Sequence, residues 1–400
     1  MRVLHVIPSI APCRGGPSAA MAPMISALRG ADVDSALLTT NDNGPDNSDI
    51  PLGDWFEYQD VPVLAFPRNL KGMRWYDEHI VAPGALDWLR ENGAQWDLVH
   101  VHAVFSYLSS QAMRWARLAS RPYLCRPLGQ LCLWSLGQKS TRKRVYLRLL
   151  EKANLEAADR VHFTSRQEQL ECQQAGLSVR GLVVPHGINL PAVESPATDR
   201  YSVEPEASVD AQTPAGAMTS ILFLGRLDPK KGLERLLAAF SQVAASLPGA
   251  VLTVAGSGDA SYVTNLRSQA DELKLGDRVQ FVGWVQGAEK HALLESADLF
   301  VLPSYSENFG VAVLEALGYG LPVLVSEAVA LASEVGEAGA GLVVSGAEPS
   351  IADGLLKLGQ DPGLRRRMSS AGRQLARERF SWPGVARQLK THYQQILAAA

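Results

Sequence analysis

The feature that most constrains this chain is an alternation that occurs twice. Short apolar runs are followed by longer segments with helical spacing. In the first half, residues 3–8, 35–39, 98–102, 161–164 and 182–185 read as strands. Residues 21–28 and 109–119 read as helices between them. Strands this short and this apolar bury both faces, which predicts a parallel sheet covered by helices. The composition then shifts. Residues 191–219, PAVESPATDRYSVEPEASVDAQTPAGAMT, are rich in Pro, Ala, Ser and acidic residues, as a linker or loose surface loop is. A second pattern follows, with strands expected at 221–224, 251–255, 279–282, 298–303 and 322–326. Leu233, Leu236, Leu237, Phe240 and Val243 recur at helical spacing, and further helices are expected at about 350–358, 362–378 and 382–398. A chain of 400 residues exceeds one ordinary core. The expected fold is α/β with two Rossmann-like parallel-sheet domains facing across a cleft. The domains are 1–188 and 220–380, with 189–219 between them. Such sheets bind ligands at the carboxyl ends of their strands.

Composition narrows the function. Hydrophobic residues make up 46% and charged residues 20%, as in globular proteins. The net charge of −3 gives no bulk attraction to nucleic acid, so no nucleic-acid partner is expected. The four cysteines, Cys13, Cys125, Cys132 and Cys172, form no CxxC pair and have no metal-ligand spacing. They read as reduced thiols. The opening MRVLHVIPSIAP has an apolar run too short for a secretory signal, and no stretch approaches a membrane span. The expectation is a cytoplasmic chain, with peripheral contact at the inner face of a membrane left open.

Several stretches carry chemistry. In SENFGVAVLEALGYG, Glu315 stands among Val311, Ala312, Val313, Leu314, Ala316 and Leu317. A carboxylate there needs a partner, because burying it alone costs several kcal/mol. It suits the vicinal hydroxyls of a ribose, which donate two hydrogen bonds to it. The alternative is a structural ion pair, with Arg226 as one possible partner. Glu307 precedes the expected helix start, and Asn308, Phe309, Gly310 and Val311 form its first turn. Free N–H groups there suit a phosphate or a sugar hydroxyl. In FLGRLDPKKG a strand ends at Gly225, and Arg226 and Lys231 follow before a helix. Two cations and a helix start at one strand end suit a diphosphate, although a basic surface loop has the same composition and Lys230 is read as solvated.

The first half offers weaker signals. Gly15–Pro17 follows the first strand, where Gly15 and Gly16 let backbone N–H groups approach an anion; a bare tight turn reads the same. His100 and His102 share one face of a strand, with His102 at its carboxyl end. His102 suits donation to a substrate hydroxyl or phosphate, and its bland alternative is a buried, satisfied histidine. The segment 138–152, QKSTRKRVYLRLLEK, is basic and helical, with Val145, Leu149 and Leu150 as its apolar positions. It reads as a solvated helix, or as one that meets anionic lipid or an anionic acceptor. The DVD at 32–34 is remote from the strand ends and is not read as a metal site.

On these residues the chain resembles glycosyltransferase family 4, retaining sugar transferases of the two-domain GT-B fold. The similarity is most specific at FLGRLDPKKG and SENFGVAVLEALGYGLPVLVSE, whose two glutamates have the family's spacing; GGP, DLVHVHAVFSYL and EAADRVHFTSRQE follow the expected order. The resemblance implies that Gly15 and Gly16 approach the phosphate region and His102 the transferring sugar. Arg226 and Lys231 would clamp the nucleotide diphosphate, Glu307 and the backbone of residues 308–311 would contact the donor sugar and phosphate, and Glu315 would hold the ribose. It implies a UDP- or GDP-sugar donor, no metal or other cofactor, and a glycan or lipid-linked acceptor in surface-polysaccharide synthesis. It also implies that residues 381–400 cross back to the first domain. Two features depart from the family pattern: His186-Gly187 stands where the family has Asn-Gly, and the 191–219 stretch is long. A GT-B nucleotide-sugar epimerase would share the nucleotide pocket but needs acid and base groups over the sugar's C2, and no second cluster supplies them. A non-catalytic nucleotide-sugar-binding protein would not need the intact set His102, Arg226, Lys231, Glu307 and Glu315.

Overall fold

The computed structural model describes residues 1–69, 79–137, 140–191, 218 and 220–399. Most of the 191–219 stretch, and Gln138 and Lys139 of the basic segment, lie outside the described residues. The chain divides into two units, Met1–Gly187 with Trp382–Ala400, and Ile188–Ser381.

The first unit is built on β1 (Arg2–Val6), β2 (Asp34–Thr40), a small hairpin of β3 (Asp42–Asn43) and β4 (Asp46–Asn47), β5 (Trp55–Tyr58), β6 (Val61–Phe66), β7 (Leu98–His102), β8 (Tyr123–Arg126), β9 (Arg160–Phe163) and β10 (Gly181–Val183). Its main sheet runs β10-β9-β8-β7-β1-β2-β6-β5. The pairings are parallel except β5 with β6. The order reverses between β1 and β7, which makes that gap the topological switch point. Alternate residues serve two cores. Leu4, Val6, Val99 and Val101 pack with Leu108, Ala112 and Met113 of the Tyr107–Leu118 helix. Val3, Leu37, Leu98 and Leu124 pack with the Met21–Gly30 and Trp382–Ala399 helices.

The second unit holds β11 (Ser220–Leu224), β12 (Val251–Ala255), β13 (Val279–Gly283), β14 (Leu299–Leu302), β15 (Val323–Ser326) and β16 (Gly341–Val344). Its sheet runs β13-β12-β11-β14-β15-β16 and every pairing is parallel. Here the order reverses between β11 and β14. The Leu233–Val243 helix buries Leu233, Leu236, Leu237, Phe240 and Val243, the positions whose spacing marked it. Asp361 caps Pro362–Phe380 by accepting from the Leu364 N–H at 2.7 Å. Among the described residues no helix is long and apolar enough to cross a membrane.

Candidate functional site

The second unit gathers its charged candidates at its switch point. Leu224 ends β11, and the chain passes through Gly225 and Arg226 into the turn Pro229–Lys231. Asp228 caps that turn by accepting from the Lys230 N–H at 3.0 Å. Gly232 closes it at φ 68°, and a Cβ there would lie 2.4 Å from the Pro303 carbonyl oxygen. Only glycine lets the turn press against the loop after β14. The Tyr305 N–H donates to the Lys230 carbonyl at 2.8 Å, so the two loops are pinned together.

This pinning delivers Lys231 to Glu307. Their side chains form an ion pair and are 16% and 15% exposed. The Glu307 backbone is held in turn: its N–H donates to Ala328, and the Ala330 N–H donates to its carbonyl at 3.0 Å. Burial pushes the Glu307 carboxyl up, but the charge and hydrogen bond of Lys231, with Lys230 and Arg226 behind it, outweigh that and lower it. Three cations therefore act on one spot. Arg226 itself is 73% exposed on its side chain, 3.8 Å from Asp228, so its guanidinium is open to an incoming anion. Lys230, read from the sequence as solvated, belongs to this group.

Gly310, at φ 91°, starts the Val311–Gly318 helix, and Glu315 lies just over one turn inside it. Val313, Leu314, Ala316 and Leu317 are buried, as the apolar run predicts. Glu315 bonds Lys290 Nζ at 2.7 Å, with the two side chains 26% and 28% exposed. Arg226 is not its partner, which corrects the pairing considered above. Lys290 belongs to the Gly287–Ser296 helix, 25 residues away, which no periodicity marked. Phe309 is buried against Phe380, so it contributes packing and backbone at the helix start.

In the first unit, Gly16 opens only a single helical turn, Gly16–Ala19, before Met21–Gly30. One turn carries little dipole, and the Gly15 N–H already donates to the Pro12 carbonyl at 2.9 Å, so the anion reading rests on the Gly16 N–H alone. Beside them Arg14 makes two 2.7 Å bonds to the buried Asp42 carboxylate, which Arg68 also contacts.

His102 is not presented at the surface of its unit. It is fully buried, and its Nε2 shares a 3.1 Å hydrogen bond with His5 Nδ1. The burial in the bland reading is there, but His102 Nδ1 has no hydrogen-bond partner among the described residues, so the ring is not fully satisfied. It belongs to a histidine layer beneath the Trp382–Ala399 helix. His162 Nε2 donates to the Val184 carbonyl at 2.9 Å, leaving Nδ1 to accept from His100 Nε2 at 3.3 Å. His100 Nδ1 then accepts from the Tyr393 hydroxyl at 2.7 Å. This chain of bonds requires neutral rings. Burial first, then neighbouring histidines and Arg126, hold His100 and His102 well below the usual histidine range. Burial and then Arg126 bring His5 down to about 3. His5, His100 and His102 each bring a ring nitrogen within 4.8 Å of the others. The buried Arg126 guanidinium beside them makes a cation there costly.

His186 donates from Nδ1 to the Gly187 carbonyl at 2.5 Å and packs its ring 5.1 Å from Trp382. A Cβ on Gly187 would come 2.4 Å from the same indole, so glycine is fixed here by the start of the last helix. Two buried carboxylates escaped the sequence reading. Glu151 accepts from the Phe105 N–H at 2.9 Å and from the Ser110 hydroxyl at 2.7 Å. Glu168 accepts from Gly129, and from the backbone N–H and hydroxyl of Thr164. They pin the loops that follow β7, β8 and β9, the carboxyl-end loops of their sheet. The S-x-x-E spacing of Ser165 and Glu168 was the available signal, and the Glu168 N–H does donate to the Ser165 hydroxyl at 3.1 Å.

Two family models match the chain. One is a glycosyl transferase 4-like domain over residues 15–187, and the other is glycosyl transferases group 1 over residues 210–375. A D-inositol 3-phosphate glycosyltransferase of Corynebacterium efficiens is 28% identical over 325 residues, covering 80% of this chain and 76% of that protein. A phosphatidyl-myo-inositol mannosyltransferase of Mycobacterium leprae is 33% identical over 227 residues, 56% of each chain. The chain thus spans only about half the length of that relative. Among solved structures, sucrose-phosphate synthase from Thermosynechococcus elongatus superposes with a TM-score of 0.77 at 23% identity, covering all of both chains. Anabaena HepE in complex with UDP and glucose superposes with a TM-score of 0.72 at 19% identity, over 98% of this chain and 99% of that one. At these identities the two structures show a common GT-B fold.

Proposed function

The chain belongs to glycosyltransferase family 4 and is a glycosyltransferase of the GT-B fold, and from that premise we propose that it moves a hexose from a UDP- or GDP-sugar to a hydroxyl of a glycan or lipid-linked acceptor, with retention, in surface-polysaccharide assembly at the cytoplasmic side. The observation that carries the donor assignment is the convergence of Arg226, Lys230, Lys231 and Glu307 at the switch point of the second sheet.

Breaking the bond between a sugar and a diphosphate builds negative charge on the diphosphate. Arg226 and Lys231, with the N–H groups at the start of the Val311–Gly318 helix, stabilise that charge without a metal. Lys231 is already half-neutralised by Glu307, so it is held in place rather than free to swing. In this reading Glu307 positions the donor sugar and is not a nucleophile. The acceptor oxygen forms its bond to the anomeric carbon on the face the phosphate leaves, and the departing phosphate takes the acceptor's proton. Glu315 accepts from the ribose hydroxyls. His102, being buried, is given no step.

The basic segment favours a lipid-linked acceptor for a specific reason. Val145, Leu149 and Leu150, its apolar positions, face outward, with Leu149 72% exposed. Leu133 and Trp134 are exposed beside them in sequence, and Arg144, Arg148 and Lys152 share the segment. Cations among outward apolar side chains suit an anionic lipid surface.

A thermal-shift screen against nucleotide sugars tests the donor assignment. Stabilisation by about 2.7 kcal/mol is expected at a ligand concentration 100 times the dissociation constant. No shift with any UDP- or GDP-sugar would remove it.

A further inference from the structure

The Gly287–Ser296 helix buries only Leu294 fully, so packing holds it thinly. Two polar contacts tie it to the Glu315 helix and the residue that ends it: Lys290 bonds Glu315, and His291 Nδ1 shares a hydrogen bond with the Tyr319 hydroxyl. The Lys290–Glu315 pair is part-buried, its side chains 28% and 26% exposed. The bond uses Glu315 Oε1 alone. A carboxylate offers about four acceptor positions, so one bond restrains it and leaves room for two hydroxyl donors.

We propose that Lys290 is a positioning residue for the donor's ribose, holding the Glu315 carboxylate in the orientation that receives the two vicinal hydroxyls. The inference rests on the donor reading given above and adds to it a residue from a helix that reading does not use. The Lys290 side chain does not itself contact the nucleotide. It acts only through Glu315, and its effect vanishes when the ribose has no hydroxyls to offer.

That dependence supplies a test which a merely structural lysine would not pass. Binding of UDP and GDP, and of their 2′,3′-dideoxy counterparts, is measured by calorimetry on the wild type, Lys290→Met, Lys290→Arg, Glu315→Gln and the Lys290→Met/Glu315→Gln pair. Hydrogen bonds to charged groups set the scale, so Lys290→Met weakens binding of the preferred diphosphate roughly tenfold to a hundredfold. Lys290→Arg recovers most of that loss. Glu315→Gln weakens binding similarly, and the double variant is no worse than Glu315→Gln alone. The dideoxy ligand binds all five proteins alike. Loss of dideoxy binding in Lys290→Met would show general damage to the unit and overturn the proposal. Wild-type affinity for the ribose form in Lys290→Met would overturn it while leaving the donor reading intact. A wild type that binds neither diphosphate would overturn both.

Discussion

Acidification should unfold the first unit long before the second. His5, His100, His102, His162 and His186 are buried there, and burial as the leading cause lowers each of them, His5 and His186 to about 3. The unfolded chain takes up protons near pH 6.5, while the folded unit refuses them. Stability is therefore whole above pH 6.5 and falls as the pH drops below it. At pH 5.5 each such histidine costs about 1.4 kcal/mol, and five together cost about 7 kcal/mol. Glu151 and Glu168, raised by burial, titrate in the opposite sense and offset up to two of the five. The net loss is about 4–7 kcal/mol, comparable with the whole stability of an ordinary domain. Arg126, buried beside the layer, opposes any added proton further. In Ile188–Ser381 the one histidine is His291, so that unit has no such buried histidine layer. Of the eight tryptophans only Trp284 falls in that range, so intrinsic fluorescence reports mainly on the first unit. Urea unfolding followed by fluorescence from pH 7.5 to 5.5 should show the midpoint falling steeply, with three to five protons taken up on unfolding. A midpoint that stays constant over that range would refute the neutral-layer account.

Other outcomes follow from the second unit. Lys231→Ala should lower turnover about 100- to 1000-fold, the scale of a lost oxyanion donor; unchanged steady-state turnover would remove Lys231 from the chemistry. Gly232→Ala forces a Cβ toward the Pro303 carbonyl in a left-handed conformation. It should cost about 2–3 kcal/mol in thermal unfolding and reduce nucleotide binding, since it separates the two pinned loops. Asp361→Ala removes the cap of Pro362–Phe380 and should cost about 1 kcal/mol with nucleotide affinity unchanged, measured by calorimetry.

Five of the six strands of the second sheet were legible as short, mostly apolar runs, as Val251–Ala255 is, whereas β16 was not marked. In the first sheet, β6 carries Pro62 and β8 is four residues ending in the buried Arg126, so neither stands out by pattern. Lys231 and Glu307 were legible by type and position, because strand ends and helix starts are local signals. Their direct pairing was not, since it depends on two loops 76 residues apart being pinned together. Lys290 was hidden for the same reason: it lies on a nearly unpatterned helix and matters only through a distant glutamate. The burial of His102 was not legible, because a histidine at a strand end looks the same from sequence whether it faces solvent or other histidines.

The central claim is that the switch point of the second sheet activates a nucleotide sugar, and release of nucleoside diphosphate from a panel of UDP- and GDP-hexoses measures it directly. Slow release from at least one donor is expected, made faster by acceptor and abolished in Lys231→Ala. A chain that binds a donor tightly, yet releases nothing with any acceptor, would contradict it.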